Sequence, residues 1–291
     1  MVLKGRLGLQ SARIPHRDRH GIMWLRRGEL SVRDGTLRFS SGGSDRLPPG
    51  DFDIPVQGIS CVVLEPGTTV THDALRLLAR YGTGLVASGD NGVRFYASMP
   101  FGSRDSSLAR KQVEAWSDSE RRVDVARRMY AWRLGEILPH ADLDTLRGME
   151  GARMKESYRL LARQHGVPWK GRRYDRKAPE DNDIPNQAIN HAATATEAAA
   201  LVAVASTQTL PQLGFIHEHA RHAFALDVAD LFRTTVTLPA AFSGAARALH
   251  RGPSAPLESM VRKEVGRIFR QETVISDMIG RIKALLAPDC E

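Results

Sequence analysis

The sequence has few cysteines and no long run of apolar residues. Only two of its 291 residues are cysteine, Cys61 and Cys290, and they lie far apart. Two such residues make no disulfide framework, so we expect a reducing compartment and a cytoplasmic protein. Charged residues interrupt every apolar run before it reaches the length of a membrane span, and residues 1–15 lack the apolar region of a signal peptide. We therefore expect no membrane partner.

Negative charge is also under-represented. The chain carries 41 lysines and arginines against 33 aspartates and glutamates, which gives a formal net charge of +8. An excess of positive charge favours a polyanionic partner such as nucleic acid. The hydrophobic fraction of 42% is typical of a globular protein, and the length allows two domains.

The residue pattern changes from strands to helices near residue 100. Over residues 1–98, short strand-like runs are separated by turn signals, and Asp34-Gly35 predicts a hairpin. One short helix, opened by Thr71 and closed by Gly82, interrupts them. Residues 99–107 have linker composition, and helical periodicity dominates residues 108–291, with a possible break at 117–119. We predict an α+β protein, with an N-terminal β-sandwich domain followed by a larger all-α catalytic domain.

The segment FALDVADLF, residues 224–232, places two carboxylates in a helix that otherwise has core composition. Asp227 and Asp230 are three residues apart, so both point to the same side of the helix. Burying an ionised carboxylate is costly unless something pairs with it. Pairing with Arg221 or Arg233, or exposure to solvent, would be the ordinary explanation. A divalent cation bound by oxygen ligands would be the functional one.

A glutamate in a second segment is flanked by glycines. Glu150 lies between Gly148 and Gly151 in a helical pattern. Each glycine costs a helix roughly 1 kcal/mol relative to alanine, so we expect another element to approach closely there. The alternative is an exposed glutamate on a poor helix.

Three histidines crowd into residues 217–222. His217 follows two apolar residues and is expected to face inward, whereas His219 and His222 are expected to face solvent. One imidazole with several carboxylates suits Mg²⁺ or Mn²⁺ better than a structural zinc site, which prefers thiolates. In a basic protein, such a site points to phosphodiester chemistry.

Four stretches resemble one known family. They read EPGTTVTHDALRLLARYGTGLV, LRGMEGARMKESYRLLARQHGVPWKGRRYDR, NQAIN and LGFIHEHARHAFALDVADLFR. Over residues 25–286 the chain is similar to the CRISPR-associated integrase, the Cas endonuclease of spacer acquisition, in its type I-E form. The resemblance implies a β-sandwich, a helical catalytic domain and a homodimer that joins a dimer of a small ferredoxin-like Cas partner. It also implies transesterification, in which the 3′-hydroxyl of a prespacer duplex attacks a phosphodiester of the CRISPR leader-repeat. The DNA partners are then double-stranded and branched DNA, as prespacer and leader-repeat.

The resemblance assigns roles to the residues singled out above. It makes Glu150, His217 and Asp230 the ligands of a catalytic Mg²⁺ or Mn²⁺, and Asp227 a supporting carboxylate of the same catalytic site. The cation and its water shell would then satisfy both aspartates. Arg27 stands where better-known members carry a stacking tyrosine. The candidate DNA contacts are Arg27, Arg76, Arg94, Arg172, Arg173, Tyr174 and Arg221.

Two other functions are compatible with the same residues. The protein could be a free-standing structure-specific DNase that acts on branched DNA with water as the nucleophile, and it would then bind no Cas partner. It could also be a non-catalytic DNA-binding scaffold whose aspartates are salt-bridged. A scaffold would bind no metal and would show only salt-dependent DNA affinity.

Overall fold

The computed structural model describes residues 21–45, 47–98, 106–136, 142–173, 182–252, 254, 256–271 and 273–287. Within these ranges, eight strands are followed or interrupted by nine α-helices. The strands are β1 Gly21–Leu25, β2 Gly28–Arg33, β3 Thr36–Ser41, β4 Gly50–Ile54, β5 Ile59–Leu64, β6 Thr68–Val70, β7 Gly84–Ser88 and β8 Phe95–Ser98. The helices are α1 His72–Tyr81, α2 Ser107–Ser117, α3 Ser119–Leu134, α4 Leu143–Gln164, α5 Ile184–Thr207, α6 Ala223–Asp230, α7 Leu238–Arg251, α8 Leu257–Gln271 and α9 Val274–Leu285.

The strands form two four-stranded sheets, with the orders β1-β5-β7-β8 and β4-β3-β2-β6. Leu30 and Phe39 of one sheet and Val62 of the other are buried in one apolar cluster with α1. The hairpin between β2 and β3 turns through Asp34 and Gly35, whose φ angles are 52° and 77°. Both residues are left-handed, as a two-residue hairpin turn of type I′ requires. The predicted hairpin and α+β class are confirmed.

The first sheet has a pairing that the sequence pattern does not predict. Strand β5 lies parallel to both β1 and β7, while β8 joins β7 antiparallel. Because side chains alternate across a strand, β5 serves two cores. Its Val62 faces the other sheet, whereas Cys61 and Val63 pack in the core of the helical region. Burial raises the pKa of the Cys61 thiol to about 12, and Cys290 lies outside the described residues.

Helix α5 is the centre of the helical region. It packs against α6, α7, α8 and α9 and also against β7 and β8. Seven of its 15 buried residues are alanines, and their small side chains let the neighbouring helices approach closely. The helix begins after Asp183, whose side chain accepts a hydrogen bond from the backbone N–H of Asn186.

The predicted break between α2 and α3 is also confirmed. Asp118 separates the two helices and caps α3 by accepting hydrogen bonds from the N–H groups of Glu120 and Arg121. The linker prediction for residues 99–107 falls almost wholly outside the described residues, and the domain boundaries stay a prediction. Of the helices described, none combines the length and the apolarity needed to cross a membrane.

Candidate active site

The FALDVADLF segment forms α6, which ends at Asp230. A π-helical turn, Arg233–Thr237, follows almost directly and leads into α7. Such turns occur frequently at functional sites. The Asp227 side chain is fully buried and that of Asp230 is 20% exposed. Both aspartates approach the ring of His217, which confirms that they share one side of the helix.

Asp227 is satisfied entirely by the protein. Its Oδ2 accepts hydrogen bonds from the backbone N–H groups of Phe215, at 2.6 Å, and Ile216, at 3.0 Å. Its Oδ1 accepts one from the backbone N–H of His217 at 3.0 Å and lies 2.6 Å from His217 Nδ1. The expectation that an ion satisfies both aspartates is therefore wrong for Asp227, because four protein donors surround its two oxygens.

This contact fixes the ring of His217. With Nδ1 on Asp227, the other ring nitrogen, Nε2, lies 3.9 Å from Asp230 Oδ2. The hydrogen bond to Asp227 raises the pKa of His217. Burial of the ring acts against this increase, and the negative charges of Asp227 and Asp230 add to it. In the neutral ring the proton stays on Nδ1, so the lone pair of Nε2 is available as a ligand. A carboxylate that orients a histidine in this way is typical of metal sites.

Glu150 reaches the same place from α4. Its side chain is 15% exposed, and Arg133, near the end of α3, contacts its Oε1. The same Nη2 atom of Arg133 lies 3.4 Å from Asp230 Oδ2. A chain of contacts therefore links the four residues predicted for the site, and Arg133 stands between Glu150 and Asp230 in that chain. Among the described residues, no three Asp, Glu, His or Cys side chains are grouped closely enough to hold a metal ion as they stand.

The glycines beside Glu150 do not receive another element. A Cβ atom added at Gly148 or Gly151 would meet nothing within 4 Å, and both residues are exposed. The expectation of close packing within the protein is wrong at both positions. The glycines instead leave an open surface on α4 next to Glu150.

A second arginine binds Asp230 on its other oxygen. Nη1 of Arg233 donates to Asp230 Oδ1 at 3.1 Å, and Nη2 donates to the Tyr158 hydroxyl at 3.0 Å. Burial opposes the charge of Arg233, yet Asp230 and Tyr158 together raise its pKa. The ordinary explanation for Asp230, pairing with Arg233, is therefore present, whereas Arg221 is exposed.

Arg133, Glu150, Asp230 and Arg233 line a cleft of about 370 Å³. Its charged lining consists of Arg133, Glu150, Arg153, Asp230, Arg233 and Arg281. Four arginines against two carboxylates give the cleft an excess of positive charge, which suits a phosphate.

Helix α2 holds the loop that carries His217. Gln112 is fully buried; its amide nitrogen donates to the carbonyls of Leu210 and Leu213, and its oxygen accepts from the N–H of Leu210. The indole of Trp116 donates to the carbonyl of Gly214. A Cβ at Gly214 would lie 2.4 Å from the His217 carbonyl oxygen, so only glycine fits. No local sequence pattern marks these residues or Arg133, so none of them is predicted for the site from the sequence.

Comparison with known proteins supports the family resemblance that the sequence shows. The family model described as CRISPR associated protein Cas1 matches residues 22–139 and 131–249. The CRISPR-associated endonuclease Cas1 of Geobacter sulfurreducens is 38% identical, over 94% of this chain and 87% of its own. The protein of the same name from Escherichia coli K12 is 37% identical over the same shares. The chain belongs to the Cas1 family. The crystal structure of a TtCas1–DNA complex superposes on this Cas1 fold with a TM-score of 0.82 and 29% identity, over 93% of this chain and 97% of that one.

Three candidate DNA contacts of this Cas1-family chain lie in the β-sandwich region. Arg27 is exposed in the turn between β1 and β2 with a φ of 53°. Arg76 on α1 is exposed and pairs with Asp73 at 3.0 Å. Arg94 lies 2.5 Å from Glu258 of α8 and so joins the sandwich to the helical region.

The other candidates of the Cas1 chain lie in the helical region. The guanidinium of Arg172 donates to Asn186 Oδ1 at 3.0 Å and Asn190 Oδ1 at 2.7 Å, so it ties its segment to α5. Arg173 and Arg221 are exposed. Tyr174 lies outside the described residues.

Two histidines of the Cas1 chain were expected to face solvent. His219 is exposed, as expected. His222 is only 29% exposed, and its Nδ1 lies 3.4 Å from Glu197 Oε1 on α5. The expectation is wrong for His222, because the loop that Asp227 folds turns this ring onto α5.

Proposed function

We propose that the protein is a divalent-metal-dependent DNA endonuclease and integrase of CRISPR adaptation. Membership of the Cas1 family supports this, as do relatives named CRISPR-associated endonuclease Cas1 and a TtCas1 structure in complex with DNA. One observation carries the proposal. The ring of His217 is held by buried Asp227 so that its other nitrogen faces Asp230, and Asp230 lines an arginine-rich cleft together with Glu150.

Glu150, His217 and Asp230 would hold the ion, which is Mg²⁺ or Mn²⁺. Two carboxylates and a neutral imidazole fit these ions, and the orientation of the ring supports that fit. When bound, the ion would polarise the scissile phosphate and stabilise the charge that develops on it. Asp227 keeps the proton of His217 on Nδ1 and thus keeps Nε2 free to ligate.

The arginines of the cleft act on the substrate. They would neutralise and orient the DNA phosphate, since a guanidinium matches phosphate geometry. In strand transfer, a prespacer 3′-hydroxyl gives up its proton and bonds to the phosphorus of the repeat. The bond from that phosphorus to the 3′ oxygen of the repeat breaks, and the departing oxygen takes up a proton.

We further propose double-stranded and branched DNA as substrates, a homodimer, and a dimer of a small ferredoxin-like Cas protein as partner. The family resemblance supports these partners. The strands at the sheet edges, β4 and β6 in one sheet and β1 and β8 in the other, support dimerisation through the sandwich, because open edges can pair. Sedimentation of the full chain tests this, and a strictly monomeric protein would contradict it.

The decisive experiment measures integration of a prespacer into a repeat-bearing plasmid, with the ferredoxin-like partner and with Mg²⁺ or Mn²⁺. Glu150→Gln and Asp230→Asn should nearly abolish the product, while duplex binding persists. His219→Ala is the matched control, because this exposed histidine lies close in sequence to His217 and should leave the rate near that of the wild type. Integration that resists a chelator would refute the proposal.

A second candidate, the non-catalytic DNA-binding scaffold, is favoured by the pairing of Asp230 with Arg133 and Arg233. Such pairs neutralise the carboxylates without any metal. The scaffold predicts DNA binding that falls with salt, with no product in the integration assay and no cutting of branched DNA. Cutting of branched DNA without strand transfer or partner binding would instead favour a free-standing DNase.

A further inference from the structure

Arg133 occupies the space between two of the proposed metal ligands. Its side chain is 7% exposed, and a single nitrogen, Nη2, contacts Glu150 and lies 3.4 Å from Asp230 Oδ2. The ring of Tyr130, whose centroid is 5.6 Å from the guanidinium carbon, packs against its other side. A buried charge needs such partners, since an unpaired one is very costly.

The charges around this arginine balance without a metal ion. Glu150 and Asp230 contribute two negative charges, and Arg133 and Arg233 contribute two positive ones. Arg233 contacts Oδ1 of Asp230, which leaves Oδ2 to Arg133 and His217. Because Arg233 takes Oδ1, an ion at Glu150, His217 and Asp230 would use Asp230 Oδ2 and the space between the two carboxylates, which the guanidinium of Arg133 now fills. Ion and guanidinium therefore compete for the same place.

We propose that Arg133 is the resident counter-ion of the metal-free site, which holds Glu150 and Asp230 together and competes with the divalent ion for their oxygens. The inference rests on the proposed metal-dependent function and deepens it. Arg133 then has two effects of opposite sign. It stabilises the fold while the metal is absent, and it lowers the affinity for the ion, because its own ion pairs must break first.

The test is a titration of the full chain with Mn²⁺ alone. The electron paramagnetic resonance signal of free Mn²⁺ measures how much of the ion stays unbound at each step. Arg133→Gln removes the competing charge and should bind Mn²⁺ at least about tenfold more tightly than the wild type. Arg281→Gln is the matched control. Arg281 lines the same cleft and stacks over Trp132, 4.7 Å from the ring centroid. Its removal takes the same charge from the cleft and should change the affinity by less than about threefold, because exposed charges are screened.

Thermal melting gives a second readout that does not depend on activity. Without metal, Arg133→Gln should melt below the wild type, because its two carboxylates repel each other, and Mn²⁺ should raise its melting temperature more. Should this variant not fold, Arg133→Lys serves instead. An ammonium is a point charge without the planar fork of a guanidinium, so it should compete less with the ion. The Mn²⁺ affinity of Arg133→Lys should then lie between those of the wild type and Arg133→Gln.

The outcomes separate the two proposals. Mn²⁺ affinity in both Arg133 variants that equals or falls below that of the wild type would overturn the role of Arg133 and leave the metal site intact. An effect of Arg281→Gln as large as that of Arg133→Gln would overturn it too, since general electrostatics would then explain both. If the wild type and every variant failed to bind Mn²⁺, the proposed metal-dependent function would fall together with this inference.

Discussion

Replacing Asp227 by asparagine isolates the carboxylate that folds the His217 loop. Its two oxygens each accept two hydrogen bonds, from three successive backbone N–H groups and from the ring of His217. Asparagine keeps one oxygen and replaces the other with an NH₂ group, which faces two donors. The site is fully buried, so water cannot take over the lost bonds.

The cost depends on which oxygen the NH₂ group replaces. Replacing Oδ2 leaves two backbone donors without an acceptor, and replacing Oδ1 leaves one. Each buried donor left without an acceptor costs about 1–3 kcal/mol, so Asp227→Asn should lower the free energy of unfolding by about 1–6 kcal/mol. The whole free energy of unfolding of a typical domain is only about 5–15 kcal/mol. If the NH₂ group faces His217 Nδ1, the ring must also move its proton to Nε2. The ligand lone pair is then lost, and affinity for Mn²⁺ should fall as well.

Urea unfolding followed by circular dichroism, with Mn²⁺ titration of the folded protein, measures both effects. Asp230→Asn is the comparison. It removes a proposed ligand that is partly exposed, so it should cost less stability but reduce strand transfer more than Asp227→Asn does. Neutral surface substitutions change the free energy of unfolding by about 0.5 kcal/mol or less. A change that small in Asp227→Asn would refute the reasoning.

Three further predictions follow from neighbouring features. Gly214→Ala should destabilise the protein by about 1–3 kcal/mol and weaken Mn²⁺ binding, because its Cβ would lie 2.4 Å from the His217 carbonyl oxygen; normal melting and titration curves would contradict this. Gly148→Ala with Gly151→Ala should raise the unfolding free energy by up to about 1 kcal/mol for each change, since nothing lies within 4 Å, yet weaken DNA binding if the duplex passes over α4. A lower melting temperature would show that the glycines serve the fold. Arg173→Ala should reduce the slope of log DNA affinity against log salt by about one unit, whereas Arg172→Ala should lower the melting temperature with the slope unchanged, because its guanidinium is bound to α5. Equal slopes for Arg173→Ala and the wild type would remove it from the DNA contacts.

Much of the fold can be predicted from local sequence signals. Asp34-Gly35 specifies its hairpin, Thr71 and Gly82 delimit α1, and Asp118 divides α2 from α3, as predicted. These features depend on residues within one or two turns of each other, so the chain encodes them locally. The parallel pairing of β5 with β1 and β7 joins distant segments, and alternation alone carries no information about which strands pair.

The candidate site divides in the same way. The sequence by itself determined that Glu150, His217, Asp227 and Asp230 are unusual, because charged and ligating residues interrupt helical patterns there. Only the tertiary structure decided what each carboxylate does: Asp227 is bound by backbone amides, and Asp230 shares its charge with Arg133 and Arg233. These contacts join α3, α4, α6 and the loop held by α2. Their energy depends on burial and on distances of a few ångströms between segments far apart in the chain, and the order of residues does not specify those distances.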